Sequence, residues 1–200
     1  MRTSFFLFIL LYFSVFNLKA QEKPSALVKG ESATVSDQIL KIETLFPNLF
    51  GLSYETKLGQ HFSLYNMIGL FGYYGGGAFA QALYGANPYY ILMPQITIQP
   101  RFYYDIGKRA ATDKKTTYNS ANYVGFSARV YHEKISISNA DRIPFDAATL
   151  DLLLSSGIQR SFFKRLNADL AIGPGIRFSQ GEAEFLIGLN LQLGFVLFSN

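Results

Sequence analysis

Phe185-Leu186-Ile187-Gly188-Leu189-Asn190-Leu191-Gln192-Leu193-Gly194-Phe195-Val196-Leu197-Phe198 is the stretch whose reading decides the fold. Every odd position in it is large and apolar, and no charge interrupts the run. The positions between include Gly188, Asn190, Gln192 and Gly194. Strict period 2 predicts a strand with one greasy face and one small or polar face. Fourteen residues exceed the about 5–6 usual for a globular strand. Tilted, such a strand can cross a bilayer core, which takes about 9–11 strand residues.

The same alternation recurs upstream. Leu170, Ile172 and Ile176 oppose Asn167, Asp169, Gly173, Gly175 and Arg177. Leu150, Leu152, Leu154 and Ile158 oppose Asp151, Ser155, Gly157 and Gln159. Val124, Phe126, Ala128 and Val130 oppose Gly125, Ser127 and Arg129. Strands are thus predicted over 166–178, 147–159 and 122–131, and by the same reading over 90–104, 62–74 and 50–58. Pro94 and Pro100 predict a local irregularity in the 90–104 strand, because proline cannot donate to a ladder. No helical stretch stands out.

An eighth strand follows from topology. Bacterial outer-membrane barrels have an even strand number, short periplasmic turns and longer outer loops. If the closing strand runs toward the periplasm, the 75–89, 132–146 and 179–184 connections face outward. The 58–61, 105–120 and 160–165 connections face inward, and a further strand must precede 50–58. The faintly alternating 37–46 segment supplies it, with Pro47-Asn48 as a turn, and pairs with the closing strand across the seam. The 105–120 connection, carrying Lys108, Arg109, Lys114 and Lys115, is long for a periplasmic turn. The predicted fold is therefore all-β: a small antiparallel transmembrane β-barrel of eight strands.

An apolar face turned outward and a Gly/Ser-rich face with few charges turned inward distinguish this from a soluble periplasmic barrel. A soluble barrel would carry many Lys and Glu on its solvated face. Tyr73, Tyr74, Tyr89, Tyr90, Tyr103, Tyr104, Phe162 and Phe163 fall near strand ends and suit interfacial girdles.

The leader supports export. Arg2, an apolar run from Phe5 to Leu18 and Leu18-Lys19-Ala20 before Gln21 read as a signal peptide over 1–20, cleaved after Ala20. A polar lead-in over 21–36 precedes the barrel domain, 37–200. Cleavage brings the net charge from +4 to +2, so the basic balance is no argument for nucleic acid. The absence of cysteine removes disulfides and thiolate metal sites. The expected location is the cell outer membrane.

Pro100-Arg101-Phe102-Tyr103-Tyr104, Lys108-Arg109, Asn119-Ser120-Ala121-Asn122-Tyr123, Ile135 to Asp141, Gly157-Ile158-Gln159-Arg160 and Ile172-Gly173-Pro174-Gly175 resemble a pattern in uncharacterised outer-membrane β-barrel proteins of Gram-negative bacteria. The resemblance covers roughly residues 50–198 and implies the barrel fold, with no activity to carry over. It implies outer-membrane lipid and the barrel-insertion machinery as partners, with the outer loops open to an unknown ligand. A monomer is expected.

Six inward charges form the candidate site: Glu55, Arg101, Arg129, Asp151, Asp169 and Arg177. An eight-stranded barrel has an interior just wide enough for side chains to fill. Charges withdrawn from water need partners, so the six predict structural ion pairs plugging the interior. His61-Phe62-Ser63 has the His-x-Ser spacing of outer-membrane lipid A deacylases, which use a His/Ser/Glu set. The position of that family's Glu is Gly75 here. His132-Glu133 stands alone, and Gly75-Gly76-Gly77 lacks the Lys and Ser/Thr of a phosphate loop. No cofactor or metal is expected. The expected role is structural or surface-interacting, with a lipid-modifying barrel enzyme or a narrow pore as alternatives.

Overall fold

The computed structural model describes residues 34–44, 48–75, 89–132, 137–138 and 148–200. The predicted leader, most of the lead-in, the 76–88 loop and most of the 133–147 loop lie outside the described residues, as do Pro47, Gly76, Gly77, Asp141 and Arg142.

Among the described residues nine strands form, in chain order β1 (Gln38–Thr44), β2 (Asn48–Lys57), β3 (Phe62–Gly75), β4 (Tyr89–Phe102), β5 (Asn122–His132), β6 (Ile137–Ser138), β7 (Ala148–Phe162), β8 (Leu166–Ser179) and β9 (Glu182–Ser199). One helix, α1 (Ile106–Ala111), lies between β4 and β5. All pairings are antiparallel. The eight long strands follow one another around a closed ring, β1-β2-β3-β4-β5-β7-β8-β9, and β9 returns to β1. β6 adds two residues beside β4, at Ile91 and Leu92.

The seam between first and last strands is where the sequence reading placed it. Thr44 faces Leu193, Ile42 faces Phe195 and Ile39 faces Ser199, with a register shift between Leu40 and Lys41. β1 is much shorter than β9. Among the described residues, Glu182 to Gln192 is therefore paired to β8 alone.

Two prolines mark the only gaps inside the ladders between described long strands that keep their register. The β4–β5 ladder lapses between Ile98–Ala128 and Arg101–Gly125, at Pro100. The β7–β8 ladder lapses between Leu153–Gly175 and Ser156–Ile172, at Pro174. Each proline lacks the N–H that its neighbour would accept, so a rung is lost while the strand runs on.

Two connections differ from the sequence reading. The 179–184 loop is a two-residue turn: Ser179 pairs with Glu182, while Gln180 and Gly181 take φ of 53° and 83°. Two successive positive φ values match the right-handed twist of a hairpin, and Gly181 adopts its value without steric cost. The 105–120 connection is not an open loop. It holds α1 and folds back across one end of the ring, which accounts for its length. Ile106, Tyr103, Ala121, Tyr123, Ala171 and Val35 form a buried apolar cluster there.

The ring is inside-out relative to a water-soluble domain. Outward positions such as Ile98, Phe126, Leu154, Leu170, Leu191 and Phe195 are exposed. Inward positions carry most of the buried polar side chains, among them Gln95, Gln99, Ser127, Gln159 and Gln192. Burial is deepest at the α1 end and falls away along β8 and β9 toward their shared turn.

Candidate functional site: the polar interior and its closed end

Alternation places the inward charges, and pairing register decides which of them meet. Arg101 is the centre. Its Nη1 lies 2.9 Å from Asp169 Oδ2 and donates to Gln159 Oε1 at 2.8 Å. Its Nε donates to Gln99 Oε1 at 2.9 Å. The guanidinium sits between two tyrosine rings, 3.9 Å from the centroid of Tyr65 and 4.5 Å from that of Tyr123. Such stacking suits a planar, weakly hydrated cation. Tyr123 also donates to Asp169 Oδ1 at 2.9 Å.

Tyr123 reaches this position because its cross-strand partner is Gly157. A Cβ on Gly157 would lie 2.2 Å from Tyr123 Cζ. The glycine is thus a packing requirement of the ring above it.

Glu55, with 0% exposure, is the second node. Its Oε1 accepts from Ser63 Oγ at 2.5 Å, Tyr103 Oη at 2.7 Å and Asn119 Nδ2 at 2.8 Å. Asn119 comes from the folded-back connection, where its φ is 57°, a left-handed value that asparagine tolerates. Its Oδ1 accepts from Ser36 N at 2.7 Å. One asparagine therefore ties the segment before β1, the cap and the interior carboxylate together. Gln159 Nε2 donates to Tyr118 O at 2.7 Å and fixes the cap from the opposite wall. Tyr103, just past β4, has its hydroxyl pushed well above the ordinary tyrosine range. Burial is the main cause and the neighbouring Glu55 carboxylate the next, so Tyr103 stays a donor.

Nearer the other end, Arg177 grips Asp151 in two-pronged fashion, Nε to Oδ1 at 2.8 Å and Nη2 to Oδ2 at 3.0 Å. Arg129 is the correction to the predicted pairs. It faces Asp151 across β5–β7, but Arg177 occupies both carboxylate oxygens, and Arg129 Nε is buried with no hydrogen-bond partner. Glu55 is likewise held by hydroxyls and an amide and makes no ion pair among the described residues. A cavity of about 30 Å³ lies between the two clusters, bordered by Arg101, Arg129, Gln99, Ser155, Asn190 and Gln192. That space suits one or two waters.

Sequence reasoning missed Lys41 and Glu43, a fully buried ion pair at 2.9 Å on the weakest strand. Tyr65 Oη donates to Glu43 and extends that pair toward Arg101. Tyr103 is not an interfacial girdle residue: it shares the inward parity of Arg101 and is fully buried. Tyr90, Tyr104, Phe162 and Phe163 are exposed. The side chains of Tyr73, Tyr74 and Tyr89 lie outside the described residues. The parity of Lys41, Glu43, Tyr65 and Tyr103 was available in the sequence and could have found all four.

The His-x-Ser pair does not assemble. Ser63 points inward to Glu55, whereas His61 sits at the β2–β3 turn, edge-on to Phe102, its Nδ1 without a hydrogen-bond partner. Among the described residues no group of three His or carboxylate side chains is placed to hold a metal. Comparison with protein-family models, curated proteins and solved structures finds no match for this chain.

Proposed function

We propose that this protein is an exported outer-membrane β-barrel whose interior is closed by its own side chains, and that it serves a structural or surface-interaction role. One observation carries the reading: the ring buries ion pairs, amides and hydroxyls and turns its large apolar side chains outward. Water would oppose that arrangement, whereas lipid favours it, because the hydrophobic effect then acts on the outer surface. Closure also fits lipid, where an unpaired sheet edge is costly.

In this reading the α1 end faces the periplasm and the β8–β9 turn faces outward. The Arg101–Asp169 and Glu55 clusters, with Asn119 laid across them, leave the lower half filled. Ion passage would need those pairs to part. Planar-bilayer recording of the purified protein tests this. The wild type is expected to show no sustained open state, and a stable conducting level would sink the closed-interior reading.

A further inference from the structure

The α1 end carries a one-sided cluster of cations. Lys108, Arg109, Lys114 and Lys115 lie on the connection; Arg160 lies near the end of β7, and Lys164 and Arg165 at the β7–β8 turn. The two groups are stitched together. Lys115 Nζ donates to Phe163 O at 2.7 Å, Tyr118 Oη to Lys164 O at 2.9 Å, and Ser161 Oγ to Thr117 O at 2.6 Å. The stitching sets cation beside cation, with Arg160 in electrostatic range of Arg109 and also of Asp105. None of the seven is in an ion pair among the described residues. Asp105 and Asp113 are the acids within these segments, and Asp105 Oδ1 already accepts from Asn122 N at 2.6 Å.

Phe163 is the second observation. It is 83% exposed at the tip of the β7–β8 turn and is held at a φ of 50°. A bulky side chain in the left-handed region is strained. Packing within the protein does not repay it, since the ring touches little. Phe162 and Tyr104 are exposed nearby and continue the outward apolar belt. A cationic shelf directly below an apolar belt, with an aromatic at their junction, matches the level of a lipid headgroup.

We propose that this shelf binds anionic phospholipid headgroups of the leaflet facing the α1 end, with the phosphate against the cations and Phe163 at the acyl boundary. A soluble acidic partner would account for the charge but not for Phe163. The proposal rests on the membrane reading above and adds a lipid preference to it.

Native mass spectrometry of the purified protein, released from nanodiscs of equal phosphatidylglycerol and phosphatidylcholine, tests it. The comparison is a variant carrying Lys108→Gln, Lys114→Gln, Lys164→Gln and Arg165→Gln. These four side chains are exposed and donate no hydrogen bond among the described residues. The wild type is expected to retain phosphatidylglycerol over phosphatidylcholine by about tenfold, and the variant to bring the ratio near one. Raising the salt to about 1 M should erode the wild-type preference without any substitution. A wild-type ratio near one, or a preference unchanged in both the variant and high salt, overturns the proposal. Failure of the wild type to enter nanodiscs at all overturns the membrane reading itself, and the lipid preference falls with it.

Discussion

Arg101 is where a single substitution should cost most. It answers Asp169 directly and lies between two tyrosine rings, all out of contact with solvent. Removing one partner of a buried pair leaves an uncompensated charge, at a cost of about 3–5 kcal/mol. Arg101→Ala should therefore lower the urea midpoint of the refolded protein sharply. Arg101→Met combined with Asp169→Leu should cost less than the two single changes together, because the second removes the charge that the first orphans. Additive costs would show that the pair does not act as one. Gly157→Ala puts a methyl where Tyr123 now lies and should destabilise by about 1–3 kcal/mol, read as a lower unfolding midpoint. Parity made Glu55, Arg101, Asp151, Asp169 and Arg177 legible from sequence. It could not assign partners, because Arg129 and Arg177 both face Asp151 and only geometry decides between them.

At the scale of elements, alternation located every long strand, and topology recovered β1 from seven weakly patterned residues. The seam can be checked by cross-linking. Ile42→Cys with Phe195→Cys should form a disulfide under mild oxidation, while Ile42→Cys with Ile187→Cys should not. The reverse outcome would put β1 in another register. The cap was the illegible element. Its α1 is only six residues long, below what periodicity can declare, and its anchors are Asn119 and Tyr118, polar residues in left-handed conformations. Nothing local in the sequence says that Asn119 reaches Glu55, 64 positions away. Asn119→Ala should strip a donor from that carboxylate and cost about 1–3 kcal/mol. Asn119→Ala with no loss of stability would show that the cap is not fastened there.

For the whole molecule, charge and apolar surface are arranged as two nested layers with an asymmetric end. Among the described residues the interior balances four cations (Lys41, Arg101, Arg129, Arg177) against four carboxylates (Glu43, Glu55, Asp151, Asp169). The cations outnumber the carboxylates toward the β8–β9 turn, and the carboxylates outnumber the cations toward α1. Cation-rich segments lie outside the α1 end. In the membrane reading proposed above, the outward Leu, Ile and Phe are covered by lipid. Subcellular fractionation of Gram-negative cells expressing the protein addresses that directly. The protein is expected in the outer-membrane pellet, resistant to a carbonate wash and released only by detergent. Recovery as a soluble monomer in the periplasmic fraction without detergent would contradict it.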